Sequence, residues 1–118
     1  MKVAFIGLGV MGYPMAGHVK AAGMEVCVFN RSPEKAKSWC EEFSGTSANT
    51  PAKAAEGCDI VLVCVGNDDD VRQVVMGEDG VLAGMKEGAI LVDHTTASAA
   101  LARELDEEAR SQGKKFLD

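Results

Sequence analysis

The sequence predicts an α/β fold: a doubly wound, mostly parallel sheet formed by a single domain of 118 residues. Three observations predict it. Apolar segments typical of buried strands alternate with amphipathic segments typical of helices along the whole chain. The strongest strand segment, 60–65, is apolar at every position, as is typical of a strand covered on both faces. The first strand leads directly into a G-x-G-x-x-G pattern and then a helix.

The first half of the chain is predicted to contain three strands and three helices. The strands are expected at 2–6, at 25–29 and near Ser47, and the helices at 10–22, 33–43 and 51–55. Gly23 is expected to end the first helix, and Ser32 to cap the second, which begins with Pro33. The buried stripes of these two helices are expected at Met11, Met15, Val19 and Ala22, and at Ala36, Trp39, Cys40 and Phe43.

The second half is predicted to add three strands and two helices. The strands are expected at 60–65, at 89–93 and, as the start of a sixth strand, at 114–118; the helices are expected after 67 and at 99–112, with a loop at 77–88. Asn67 or Asp68 is expected to cap the first of these helices. This succession predicts strand order 3-2-1-4-5-6, with a ligand at the carboxyl ends of the strands where the order reverses.

Composition and charge exclude several other classes of protein. A net charge of −6 argues against nonspecific nucleic-acid binding. The longest apolar run is too short to span a membrane, and no signal-peptide pattern is expected at the N-terminus. The four cysteines include no C-x-x-C pair, so we expect reduced, structural thiols in a cytoplasmic protein.

The glycine pattern predicts a diphosphate site. Gly7 permits a tight turn, and Gly9 has no Cβ, so a pyrophosphate can approach the backbone. Gly12 lets the next helix pack close to the strand, and the N-terminus of that helix attracts the anion. The alternative is a glycine-rich turn without a ligand.

Residues after the second strand predict which dinucleotide is bound. An acidic residue there would accept hydrogen bonds from the ribose hydroxyls of NAD, but the chain has Asn30, followed by Arg31, Ser32 and Lys35. The Arg31 guanidinium can bind a 2′-phosphate, so this cluster favours NADP over NAD. The alternative is that the segment is only a turn and helix cap with a solvated arginine.

The motifs together resemble the β-hydroxyacid dehydrogenase family, which includes 3-hydroxyisobutyrate dehydrogenase and, more distantly, 6-phosphogluconate dehydrogenase. The resemblance is carried by FIGLGVMGYPMA at 5–16, VFNR at 28–31, VGN at 65–67 and DHTT at 93–96. It implies a Rossmann domain in which Thr96 lies beside the nicotinamide. The predicted cofactor-contacting residues are Gly7, Leu8, Gly9, Val10, Met11, Gly12, Asn30, Arg31, Ser32, Lys35, Val65, Gly66, Asn67 and Thr96.

The resemblance also implies an activity: hydride transfer between nicotinamide and a small hydroxyacid or semialdehyde. No residue here matches the family's catalytic lysine, so we assign no catalytic residue and expect an isolated cofactor domain, 1–118, that lacks the helical C-terminal domain and by itself is inactive. Apolar surface left open by that absence is expected to favour a homo-oligomer. An imine reductase-like domain and a noncatalytic NADP(H) sensor are the alternatives.

Other chemical candidates are weaker. His94 is expected to be structural or to line the rim, rather than to act as an acid or base. The acids at 68–70 are adjacent in sequence, so we expect helix capping and solvated charge and assign no metal site.

Overall fold

A computed structural model describes residues 1–95 and 98–117 as a six-stranded sheet with helices on both faces. The elements in chain order are β1 (Lys2–Ile6), α1 (Gly12–Ala21), β2 (Glu25–Phe29), α2 (Pro33–Phe43), β3 (Thr46–Ser47), α3 (Pro51–Ala55), β4 (Ile60–Val63), α4 (Asp68–Val75), α5 (Val81–Gly84), β5 (Ile90–Asp93), α6 (Ala99–Ser111) and β6 (Lys115–Leu117). The strand order is β3-β2-β1-β4-β5-β6, and neighbouring strands are parallel. The predicted fold class and strand order are confirmed.

Alternate residues of the central strands face opposite layers, as the two-residue period of a strand requires. Ala4 and Ile6 of β1 belong to one apolar core, with residues of α3, α4, α5 and α6. Phe5, between them, belongs to a second core with residues of α1 and α2, including fully buried Trp39. Because both faces are covered, β4 is apolar at each of its positions, Ile60–Val63.

The first helix begins later and buries smaller residues than predicted. α1 starts at Gly12, and its buried residues are Gly12, Ala16 and Gly17. Met15 and Val19 only pack at the edge of the core. Met11 and Ala22 are exposed, so their assignment to the buried stripe is wrong. Small residues are buried because α1 lies close to its neighbours. A Cβ on Gly12 would collide with the carbonyl oxygen of Gly7, and a Cβ on Gly17 would collide with the ring of Phe43 on α2.

Two further details differ from the predictions. The segment at 77–88 is not all loop, because it contains the short helix α5, whose Val81 and Leu82 are buried. Ser32 occupies the N-cap position of α2 but makes no capping hydrogen bond; its hydroxyl donates instead to Glu34 Oε2 at 3.0 Å. By contrast, the side chain of Asn67 caps α4 as predicted, accepting from the backbone N–H of Asp70.

Two further features concern the cysteines and the length of the helices. All four cysteines are free thiols. Over 1–95 and 98–117, no helix is long and apolar enough to cross a membrane.

Candidate functional site

A cleft with a volume of about 400 Å³ opens at the carboxyl ends of β1, β2 and β4. It lies at the sheet edge that strand order predicts for a ligand. Most of the predicted cofactor residues meet here, with five residues that sequence reasoning did not select. The lining consists of Ile6, Gly7, Leu8, Gly9, Val10, Met11, Gly12, Phe29, Asn30, Arg31, Cys64, Val65, Gly66, Asp70 and Val74.

The glycine loop between β1 and α1 is fixed by backbone contacts. Gly7 has φ +103°, a conformation that L side chains rarely adopt, and its N–H donates to the carbonyl of Phe29 at 2.9 Å. A Cβ on Gly7 would also collide with the carbonyl oxygen of Cys64. The loop therefore turns tightly against both neighbouring strands, as the spacing of the glycines predicts.

The same loop leaves room for an anion in front of α1. No heavy atom lies within 4 Å of the position that a Cβ on Gly9 would take, so the backbone there is open to a ligand. The N-terminus of α1 has no side-chain cap and no acidic residue in its first turn. In its first turn the N–H of Tyr13 donates to the carbonyl of Gly9 at 3.0 Å, and the helix dipole favours negative charge at this end. These features fit a dinucleotide diphosphate.

Asn30 has a structural task that the sequence did not reveal. Its Oδ1 accepts from the backbone N–H of Leu8 at 2.9 Å, and its Nδ2 donates to the carbonyl of Ser32 at 3.2 Å. Both ends of the amide are thus used to join the glycine loop to the turn after β2. The residue shapes the cleft from its half-buried position.

Arg31 spans the cleft to the opposite wall. Its Nη2 donates to Asp70 Oδ1 at 3.0 Å and to Gln73 Oε1 at 2.9 Å, so the loop after β2 is linked to α4. The arginine side chain is 69% exposed. Sequence reasoning missed both partners, because Asp70 was attributed to helix capping and Gln73 carried no signal.

Of the predicted site residues that the structure describes, three do not line the cleft. Ser32 and Lys35 are exposed near the start of α2, and Asn67 is engaged in capping α4. Thr96 lies outside the described residues, so its predicted position beside the nicotinamide stays a prediction.

Hydrogen bonds join the loops after β4 and β5. Thr95 Oγ1 accepts from the backbone N–H of Val65 at 3.0 Å, and the N–H of Thr95 donates to Asp93 Oδ1 at 2.8 Å. Asp68 accepts from the backbone N–H of Ser98 at 3.1 Å, and hydrogen bonding to the Ser98 hydroxyl and N–H lowers the pKa of this carboxyl group. The network positions Val65 on the cleft wall and keeps Asp68 charged.

The cleft wall offers little reactive chemistry of its own. Burial raises the pKa of the Cys64 thiol, and the nearby charge of Asp93 raises it further, so the thiol is protonated at neutral pH. His94 is exposed. Among the described residues, no group of three or more His, Cys, Asp or Glu side chains could hold a metal ion. The described residues of the cleft form an arrangement that can bind and orient an anionic ligand.

Sequence comparisons identify relatives across the whole chain. The family model that describes the NAD binding domain of 6-phosphogluconate dehydrogenase matches residues 2–118. An "uncharacterized oxidoreductase" of Shewanella frigidimarina is 59% identical over 117 residues, which are 99% of this chain and 40% of that protein. A "probable 3-hydroxyisobutyrate dehydrogenase-like 2, mitochondrial" protein of Arabidopsis thaliana is 42% identical over 92% of this chain and 36% of its own length. The chain thus spans about two-fifths of the length of these relatives.

Solved structures share the fold. An imine reductase from Myxococcus stipitatus in complex with NADP+ superposes with a TM-score of 0.87 at 28% identity, over 98% of this chain and 39% of the reductase. The V8 variant of the M. stipitatus imine reductase, in complex with NAD+, gives a TM-score of 0.86 at 26% identity, over 98% of this chain and 38% of that one. The same scaffold therefore occurs with both dinucleotides.

Proposed function

Since this chain belongs to the family of NAD-binding domains described for 6-phosphogluconate dehydrogenase, we propose that it binds NADP in preference to NAD. We further propose that it serves an oxidoreductase that transfers hydride between the nicotinamide and a small hydroxyacid or semialdehyde. Membership of the family supports an NAD(P)-binding domain, whereas the choice of dinucleotide and substrate is our inference.

The observation that carries the NADP preference is the pair Asn30 and Arg31 at the cleft. An acidic residue at the end of β2 would repel a 2′-phosphate, and this position has an amide whose oxygen is already bonded to Leu8. The next residue offers a guanidinium, whose planar set of N–H donors matches phosphate geometry. Arg31 lines the same cleft as the glycine loop, so one extended ligand can reach both.

In this proposal the residues of the chain bind and orient the dinucleotide. The α1 N-terminus and the open backbone at Gly9 receive the diphosphate, and Arg31 receives the 2′-phosphate. Val65, held by Thr95, covers the wall on the β4 side. The bound dinucleotide supplies the hydride chemistry. We assign no proton-transferring residue in this chain.

The test compares Arg31→Ala with Lys37→Ala, which removes the same charge from an exposed position of α2. Hydrogen bonds to charged groups contribute about 1.5–3 kcal/mol, and the lower end applies to an exposed arginine, so NADPH affinity should fall at least about tenfold in Arg31→Ala. NADH affinity should change by less than about twofold, and Lys37→Ala should behave as wild type. Nicotinamide fluorescence titrations of the wild type and of both variants measure the six dissociation constants. An equal loss of affinity for NADPH and NADH in Arg31→Ala, or an NADH preference of the wild type, would contradict the NADP assignment.

The imine reductase alternative is supported by the structural similarity to the M. stipitatus enzyme. Activity assays on a full-length protein that contains this domain should distinguish the two functions. NADPH oxidation with semialdehydes supports the dehydrogenase, and NADPH oxidation with cyclic imines supports the imine reductase. Tight NADPH binding with turnover of neither class would favour the sensor.

Location, assembly and domain extent are proposals as well. The free cysteines support a cytoplasmic, reducing environment. Exposed Leu117 on the outer strand β6 supports self-association as a homo-oligomer. We retain 1–118 as one cofactor domain.

A further inference from the structure

We propose that Asp70 and Gln73 are specificity-determining residues that compete with the 2′-phosphate for Arg31. This inference rests on the proposed NADP binding. In this structure both side chains, which belong to α4, hold the guanidinium across the cleft, at 3.0 Å and 2.9 Å. A dinucleotide that needs Arg31 must therefore take the guanidinium from them, whereas one without a 2′-phosphate does not.

The stereochemistry of the guanidinium makes this competition direct. Arginine presents two bidentate edges, one formed by Nε and Nη2 and the other by Nη1 and Nη2, so Nη2 takes part in both. Nη2 has two hydrogens, and its two acceptors are Asp70 Oδ1 and Gln73 Oε1. Both bidentate modes need Nη2, and Nη2 already has two acceptors, so bidentate phosphate binding competes with the bonds to Asp70 and Gln73.

The position of Asp70 separates it from its two acidic neighbours. Asp69 is 96% exposed and pairs with Arg72, and Asp68 accepts from Ser98. Asp70 alone of the three lines the cleft, and its side chain is 29% exposed. Its carboxylate also repels a phosphate dianion next to Arg31. Competition for the guanidinium and charge repulsion thus act in the same direction.

The expected effect is modest, because partly exposed ion pairs contribute little. The usual contribution of such a pair corresponds to an affinity change of about two- to fivefold. Asp70 therefore reduces the NADPH affinity without preventing binding. NADH affinity should not depend on it.

The test is a set of α4 variants titrated with NADPH and with NADH. Asp70→Ala should bind NADPH about two- to fivefold more tightly, and Gln73→Ala should do so by a smaller factor. Asp70→Asn, which keeps an oxygen acceptor but loses the charge, should lie between wild type and Asp70→Ala. Asp69→Ala is the matched control, because it removes the same charge from the same first turn of α4 without touching Arg31. NADH affinity should stay within about 1.5-fold of wild type in every variant.

Several results would overturn the inference. Unchanged or weaker NADPH binding by Asp70→Ala would show that Asp70 does not compete. An equal gain of NADPH affinity in Asp69→Ala would show that the effect comes from net charge alone. An equal gain of NADH affinity in Asp70→Ala would indicate a wider cleft. In all these cases the wild type binds NADPH, and the proposed function is unaffected. A wild-type chain that binds neither dinucleotide would refute both.

Discussion

Gly9 and Gly12 allow dinucleotide binding to be separated from folding. A Cβ on Gly9 would meet no heavy atom of this chain within 4 Å, and the residue does not adopt a positive φ. Gly9→Ala should therefore fold normally, with a free energy of unfolding equal to wild type or higher by up to about 1 kcal/mol, since alanine restricts the unfolded chain. The added methyl group would occupy the space that we assign to the diphosphate.

The magnitude of the binding loss follows from the cost of overpacking. Forcing an additional carbon into a fitted contact costs about 1–3 kcal/mol, so the affinity of Gly9→Ala for NADPH should fall by about five- to 150-fold. NADH should lose affinity to the same extent, because both dinucleotides have the diphosphate.

Gly12→Ala is the contrasting variant. Its Cβ would collide with the carbonyl oxygen of Gly7 and approach the ring of Phe5, so α1 would have to move away from the sheet. We expect it to lose about 1–3 kcal/mol of stability as well as binding. Urea unfolding followed by fluorescence of Trp39, which is fully buried, measures the stability, and nicotinamide fluorescence measures the binding. Wild-type affinity of Gly9→Ala for both dinucleotides would refute the assigned diphosphate position.

Two further predictions concern stability. Leu105→Ala should lower the free energy of unfolding by about 2–5 kcal/mol, because Leu105 is fully buried in the core beneath α6. Urea unfolding measures this loss, with Glu107→Ala at an exposed position of α6 as the control. A loss below about 1 kcal/mol would contradict the packing. The hydrogen bond from Lys86, together with that from the backbone N–H of Lys2, lowers the pKa of Asp59 in the folded chain. The stability that this carboxylate contributes is therefore present above its unfolded pKa of about 3.9 and is lost as the pH falls through the lower folded value. Asp59→Asn should be less stable than wild type at pH 7 and should lose less on acidification, as measured by thermal unfolding between pH 7 and pH 2; parallel profiles would contradict the assigned contacts.

The elements predicted well from sequence were those with local causes. β1 and β2 match their predicted bounds, and α3 begins at Pro51, where Thr50 caps it as a local signal indicates. The end of β4 was less well predicted: the strand ends at Val63, although the apolar run continues to Val65. Cys64 and Val65 are half-buried residues of the cleft wall, although the N–H of Cys64 still donates to the carbonyl of Ile6 at 2.8 Å. A sequence pattern does not distinguish such a wall from a paired strand.

The sequence by itself determined the succession of strands and helices and the tight glycine loop after β1, because strand and helix periodicities and glycine spacing act over a few residues. Only the tertiary structure decided what the polar side chains of the cleft do. Asn30 joins Leu8 across 22 residues, and Arg31 reaches Asp70 across 39. The outward position of Met11 and the burial of small residues on α1 likewise depend on how closely that helix approaches the sheet. Such contacts arise between segments that are distant in sequence, so no local pattern encodes them; the folded sheet brings them together.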